Sequence, residues 1–248
     1  MKVLFVGPSL AGGIAEARKQ HRTIDFRAPA ACGDILKAVH EGATAIGLID
    51  GYFGDLPSVW HKEILFALER GVTVAGGSSM GALRAAECSA FGMVGIGSIY
   101  EDYESGDLLD DEAVALVHAP AELGWLPLSV PWVDFEPTIE GLYARGEISL
   151  SERKKLLLAG RFLHFSERTY AKVVEEAHFG RKPRREQILA AIRANRVERK
   201  RADALKVLEW LEKGDFASAE RDWSFAATSH FELLQAEITQ KTAPVTLE

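Results

Sequence analysis

The stretch VTVAGGSSMGALRAAE, residues 72–87, decides the fold of this chain. It opens with the short apolar run Val72–Gly76, which predicts a buried strand. A tight turn of small residues follows, and alanine and leucine then favour a helix from Met80 to Phe91, ended by Gly92. The stretch therefore predicts a strand, a tight turn and a helix in succession, which we call the elbow.

Two further apolar runs, Val3–Gly7 and Thr44–Asp50, precede this stretch and alternate with helical patterns. Between the second and third runs, residues 58–70 carry apolar side chains near helical spacing. This alternation is typical of parallel strands joined by crossover helices, so the sequence predicts an α/β fold with a parallel-sheet core.

From about Thr138 the sequence changes to long charged segments with leucine, isoleucine and alanine, which predict a mainly helical C-terminal region. We therefore expect an α/β core domain over residues 1–137, followed by a helical region over residues 138–248.

Composition excludes several classes of protein. The chain has 248 residues, of which 47% are hydrophobic and 26% charged, as in ordinary globular proteins. The net charge of -7 argues against a general nucleic-acid binder. Cys32 and Cys88 are too few for a disulfide framework and lack a metal-ligand spacing. No signal-peptide pattern or apolar run of membrane-spanning length occurs, so we expect a soluble cytoplasmic protein without a metal or another cofactor.

The pattern Gly77-x-Ser79-x-Gly81 fits a nucleophile elbow, in which small residues allow a sharp turn that presents a serine. Backbone N–H groups in the turn, around Ser78 and Met80, can hold an oxyanion. The pattern alone leaves two other interpretations open. A serine of the turn could cap the following helix, or the helix N-terminus could bind an anion without any nucleophilic step.

A nucleophilic serine needs a base, and His61 is the candidate that this topology places best. Asp50 or Glu63 could orient it, and Asp50 should reach the elbow because ligands collect at the carboxyl ends of parallel strands. A surface histidine is the alternative for His61, and His118 is the second candidate base.

Charged residues give two further predictions. Arg84 could bind a carboxylate in the crevice, or it could pair with Glu87 three residues later. A basic helical region within this acidic protein predicts docking of an acidic partner, with a solvated helix face as the alternative. Its residues are Arg193, Arg196, Arg199, Lys200 and Arg201.

The sequence closely resembles the TfuA-like family over roughly residues 3–131. The longest and most distinctive matching block is GSSMGALRAAE, residues 77–87. The others are GPSL (7–10), GD (33–34), IDG (49–51), HKEIL (61–65), FGM (91–93), G-x-G (95–97) and DDE (110–112).

The resemblance implies an accessory role in peptide-backbone thioamidation of ribosomally made peptides. The implied partner is a YcaO enzyme, which uses ATP to activate a peptide amide oxygen so that sulfide can replace it. The resemblance also implies recruitment of a thiocarboxylated, ThiS-like sulfur-carrier protein and hydrolysis of its C-terminal thiocarboxylate to release sulfide. The precursor peptide is a third candidate partner.

Together, the residues and the resemblance predict a serine-type thiocarboxylate hydrolase. Ser79 would attack the thioacid carbonyl, His61 would move the proton, and Arg84 would hold the thiocarboxylate beside the turn residues Gly77, Ser78 and Met80. Attack by water without an acyl-enzyme is an open alternative. So are a non-enzymatic adaptor that links carrier and YcaO enzyme, and a small-molecule esterase, although the acid and histidine order of α/β-hydrolases is not evident after Ser79.

Overall fold

The computed structural model describes residues 1–54, 56–180, 182–214, 216 and 222–242. Within these residues, five parallel strands form a sheet of order β2-β1-β3-β4-β5, so the predicted parallel α/β core is confirmed. The strands are β1 (Lys2–Phe5), β2 (Ile24–Arg27), β3 (Ala45–Leu48), β4 (Thr73–Gly77) and β5 (Val94–Ile96). The apolar runs predict β1, β3 and β4, whereas β2 and β5 are edge strands that the runs do not predict.

Helices cover both faces of the sheet and continue into the C-terminal region. They are α1 (Ile14–Gln20), α2 (Asp34–His40), α3 (His61–Glu69), α4 (Met80–Cys88), α5 (Ser98–Ser105), α6 (Trp132–Ala144), α7 (Leu150–Phe162), α8 (Tyr170–Glu176), α9 (Lys182–Ala194), α10 (Arg199–Lys213) and α11 (Ser229–Thr242). None of the helices in the described ranges combines the length and apolar character that crossing a membrane requires.

Alternate residues of β1 enter two different cores, because successive side chains of a strand point to opposite faces. Val3 and Phe5 pack with residues of α2, α3 and α4. Leu4 packs on the other face, with Ile14 of α1 and with one side of α10. The C-terminal helix α10 is therefore a layer of the sheet core and not an appendage to it.

The predicted helical character of the C-terminal region is confirmed. The expected boundary between residues 137 and 138 falls within a helix. Pro137 lies inside α6, which runs across the expected boundary between 137 and 138. Helices α6 to α9 share a hydrophobic cluster with Ile99 of α5 and Ala82 of α4. Contacts from the described part of residues 138–248 therefore reach the core domain through both α6 and α10.

Glycines let the elbow pack directly on the sheet. A Cβ atom on Gly81 would lie 1.8 Å from the Leu48 carbonyl oxygen, and one on Gly76 would lie 2.1 Å from the Gly81 carbonyl oxygen. The Gly81 N–H donates to the Ile49 carbonyl at 3.1 Å, which fixes the start of α4 against the end of β3. The spacing of these glycines therefore positions Ser79 relative to the strand ends.

We expect Gly81→Ala to lower the free energy of unfolding by about 3 kcal/mol, because the new methyl group meets backbone that cannot give way. Gly180→Ala is the matched control, since a Cβ atom there meets nothing within 4 Å. Urea unfolding followed by circular dichroism measures both changes. Equal stability of the two variants would show that α4 is not held this closely against β3.

Candidate functional site

Three loops meet at the carboxyl ends of β1, β3 and β4. In the strand order 2-1-3-4-5 the succession of strands reverses between β1 and β3, since β2 lies on one side of β1 and β3 on the other, and ligands of such sheets bind in the crevice at that point. The buried carboxylate of Asp50, just after β3, accepts hydrogen bonds from Gly7 N at 2.8 Å and from Ser9 N at 3.0 Å. It also accepts from Ser9 Oγ at 2.7 Å, so Asp50 fixes the loop that follows β1.

A cavity of about 360 Å³ opens beside these loops, and we call it the Ser79 cavity. Its lining comes from the strand ends, from residues 51–54 and 56, from residues 114–118 and 165–166, and from Lys200 of α10. The polar side chains that line it include Asp50, Tyr52, Ser79, His118 and Lys200. A small cavity with this set of groups is the best candidate for a site of chemistry.

Ser79 occupies the N-cap position of α4 and is 3% exposed, yet its side chain makes no capping hydrogen bond. In the described part of the chain, the Met80 N–H also donates to no other residue. An amide directly after the serine is where a nucleophile elbow places an oxyanion donor. Within the described residues, the Ser79 hydroxyl and the Met80 N–H are therefore both available to hydrogen-bond a substrate.

Ser78 carries the strain of the elbow. Its φ angle is 70°, in the left-handed region that non-glycine residues rarely adopt, at a cost of about 1–2 kcal/mol. Its hydroxyl donates to the Lys200 carbonyl at 2.7 Å and lies 3.0 Å from Ser9 Oγ. The buried Ser78 side chain thus ties the elbow to α10 and to the loop after β1, and it is not free for another partner.

The structure does not bring His61 to Ser79. His61 is half-exposed, and its Nε2 atom lies 2.8 Å from Glu87 Oε2. Arg84 donates to the same Glu87 oxygen at 2.6 Å and to the Val59 carbonyl at 2.9 Å. Burial raises the pKa of Glu87, but the hydrogen bonds from His61 and Arg84 outweigh it and hold the pKa below its usual value. His61 and Arg84 belong to this network, outside the lining of the Ser79 cavity.

Glu63 has a different setting from the one expected of a residue that orients His61. Its buried carboxylate accepts hydrogen bonds from Gly33 N at 2.8 Å, Trp60 N at 3.0 Å and Leu36 N at 3.4 Å. Glu63 therefore joins the N-terminal ends of α2 and α3. Burial raises its pKa to about 7, although the three N–H donors act in the opposite direction.

His118 is the histidine that lines the Ser79 cavity. Its Nδ1 atom lies 2.8 Å from the Ala119 carbonyl oxygen. Because a carbonyl only accepts hydrogen bonds, Nδ1 carries the hydrogen, and Nε2 of the neutral ring is then an acceptor. The ring of Tyr52 lies beside it, with centroids 6.1 Å apart. A backbone-oriented imidazole with a free acceptor nitrogen is suited to remove a proton.

The predicted basic region does not form one surface. Arg193 and Arg196 are exposed, whereas Arg199 pairs with Asp102 at 2.6 Å and Arg201 donates to the Ala11 carbonyl at 3.3 Å. Lys200 is 3% exposed and lines the Ser79 cavity. The spacing of apolar residues in the sequence already indicates that Lys200 is buried. Lys200 is in register with the apolar stripe of α10, which comprises Ala204, Val207, Leu208 and Leu211.

A second cavity, of about 340 Å³, adjoins the first, and we call it the Arg196 cavity. Its polar lining includes Asp134, Tyr170, Arg196 and Arg201. The two cavities share Pro8, Leu116 and Lys200 as lining residues. Among these shared residues, Lys200 is the one with an ionisable side chain.

Comparison with known proteins gives one family. The family described as TfuA-like protein matches residues 50–169, which confirms the resemblance seen in the sequence. No curated protein matches the chain. The matched range contains Asp50, Ser79 and His118, whereas the loop after β1 and Lys200 lie outside it.

Glu63 gives a prediction for the pH dependence of stability. Its folded pKa lies above the unfolded value of 4.5, so its stabilising contribution is full below pH 4.5 and is lost as pH rises through about 7. The loss amounts to about 3 kcal/mol. Between pH 5 and pH 8 the free energy of unfolding should therefore fall less in Glu63→Gln than in the unmodified protein, as measured by urea unfolding.

Burial raises the pKa of Asp134 to about 6, so Asp134 also lowers the free energy of unfolding as pH rises. Glu63→Gln should therefore make the pH profile of stability flatter without removing the pH dependence. Glu175→Gln is the matched control because Glu175 is exposed on α8, and its profile should follow that of the unmodified protein. A Glu63→Gln profile parallel to that of the control would show that Glu63 ionises as readily in the folded as in the unfolded chain.

Proposed function

Since residues 50–169 match the TfuA-like family, we propose that this protein releases sulfide from a thiocarboxylated sulfur carrier for use by a YcaO enzyme. The family match is consistent with an accessory role in thioamidation. The observation that carries the finer proposal is the Ser79 cavity, which is lined both by His118 and by a serine whose hydroxyl makes no capping hydrogen bond.

Ser79 Oγ adds to the carbonyl carbon of the carrier's thiocarboxylate, and His118 Nε2 accepts the hydroxyl proton. The Met80 N–H donates to the oxyanion, because it belongs to the residue directly after the nucleophile. When the C–S bond breaks, sulfur leaves as hydrosulfide with the proton that His118 held. Water then gives a proton to His118 and attacks the ester, and His118 returns that proton to the departing Ser79 Oγ. This frees Ser79 and leaves the carrier with an ordinary C-terminal carboxylate.

The shape of the site supports a flexible chain end as substrate. Two adjoining cavities of about 340 and 360 Å³ accommodate an extended tail but not a folded protein. The folded part of the carrier would remain outside, near the exposed guanidinium groups of Arg193 and Arg196. The YcaO enzyme and its precursor peptide are the further partners in this role, since sulfide is used where the amide oxygen is activated.

The test follows sulfide release and the intact mass of a thiocarboxylated ThiS-like carrier. Ser79→Ala should lower the hydrolysis rate by orders of magnitude while carrier binding and thermal unfolding stay unchanged, because it removes only the nucleophilic hydroxyl. His118→Asn should lower the rate about 10²–10⁴-fold, since its amide can still donate to the Ala119 carbonyl but cannot accept the proton.

His61→Asn is the matched histidine control. It should leave the rate little changed, because the ring bonds Glu87 and not Ser79. Full sulfide release by Ser79→Ala would contradict the nucleophile, and a loss in His61→Asn as large as in His118→Asn would return the base to His61. Carrier binding by the unmodified protein without any sulfide release would instead favour the non-enzymatic adaptor.

Carrier docking at the exposed arginines makes a separate prediction. Arg196→Glu should weaken carrier affinity, and the effect should be larger at low than at high ionic strength, because salt screens exposed charges. Lys154→Glu makes the same charge change on the exposed face of α7, away from both cavities, and should have little effect. Calorimetric titration at two salt concentrations measures this, and equal effects of the two variants would argue against docking at Arg196.

A further inference from the structure

Lys200 places its amine-bearing side chain in the interior of the protein, where it is 3% exposed. Its backbone is fixed at both ends, since its N–H donates to Asp134 Oδ1 at 3.1 Å and its carbonyl accepts from Ser78 Oγ at 2.7 Å. The ammonium group donates to the Val114 carbonyl at 2.7 Å. Two backbone contacts and one hydrogen bond of the amine thus direct the side chain to one place.

The charge itself has no direct counterion. In the part of the chain that the structure describes, Lys200 forms no ion pair, and Val114 is the one hydrogen-bond partner of its ammonium. The Asp50 carboxylate accepts hydrogen bonds from Gly7 and Ser9, and Asp134 accepts one from the Lys200 backbone. Burial lowers the pKa of Lys200, and the two carboxylates only partly offset this. The charged form of a buried lysine with one acceptor for three N–H donors is costly, and an anion bound beside it would stabilise that form.

The position of Lys200 in the lining of both cavities limits the kind of anion that could reach its amine. Lys200 lines both the Ser79 cavity and the Arg196 cavity, so an anion beside it could lie in the same cavity that Ser79 lines. An extended chain that enters past Arg196 would bring its terminal group to Lys200 and then to Ser79. The lining that the two cavities share is otherwise apolar, from Pro8 and Leu116, which suits a chain end and not a cluster of charges.

We propose that the Lys200 ammonium binds the anionic carboxyl or thiocarboxyl end of an extended peptide chain, and so restricts the Ser79 cavity to chains with a free, charged C-terminus. The inference rests on the proposed function for the class of substrate. Lys200 would satisfy its two remaining donors on the terminal anion, and a chain end without charge would leave them unpaired. The same contact would hold the terminal carbonyl carbon within the cavity that Ser79 lines.

The test uses two short glycine-rich peptides of identical sequence, one with a free C-terminal carboxylate and one with a C-terminal carboxamide. We expect the unmodified protein to bind the acid on the order of tenfold more tightly than the amide, as measured by calorimetric titration. Lys200→Met should bind both equally. Lys200→Gln should do the same while keeping a donor for the Val114 carbonyl, which separates the charge from that hydrogen bond.

Lys206→Met is the matched control on the same helix, since Lys206 is half-exposed, pairs with Asp203 and lines neither cavity. It should keep the preference for the acid, and thermal unfolding checks that each variant is folded. The proposal is overturned if the unmodified protein binds the two peptides equally or binds neither. It is also overturned if a folded Lys200 variant keeps the preference.

These outcomes are distinct from failure of the proposed function. A preference for the acid that depends on Lys200, together with no sulfide release from the carrier, would leave the anion site in place and remove the hydrolase. Sulfide release with an unchanged KM in Lys200→Gln would remove the anion site and leave the hydrolase.

Discussion

The buried carboxylate of Asp50 is the contact on which the site depends. It satisfies two backbone N–H groups and one hydroxyl of the loop after β1, groups that would otherwise be buried without partners at considerable cost. Once that loop is fixed, Ser9 lies against Ser78, and Ser78 reaches the carbonyl of Lys200. One chain of hydrogen bonds therefore joins the ends of β1, β3 and β4 to α10.

This chain of contacts means that the site belongs to the whole structure and not to one segment. The part that matches the TfuA-like family supplies Asp50, Ser79 and His118, but the loop after β1 and helix α10 close the cavity from outside that range. The Arg196 cavity likewise combines residues 8–11 with residues 196–201. A change that loosens α10 would therefore alter the cavity around Ser79 without touching the elbow.

Sequence patterns predicted those parts of the fold whose signal is local. Buried parallel strands read as apolar runs, which is why β1, β3 and β4 could be predicted, as could the elbow with its glycines. Strand β2 is an edge strand with a charged residue at every second position, and β5 has three residues, so neither has such a run. The sequence points to His61 as the base through its position near the start of a helix, which says nothing about which side chains that end of the helix faces.

By itself, the sequence determined the α/β class, the elbow and the presence of a serine at the start of α4, because strand burial and turn geometry depend on neighbouring residues. Only the tertiary structure decided which charged groups surround that serine. His118 comes to the cavity while His61 bonds Glu87, and Lys200 lies in the interior although it stands in a run of surface arginines. These placements depend on how α3 and α10 pack against the sheet and on where residues 114–118 lie. Such contacts join residues too far apart in the chain for a local pattern to record.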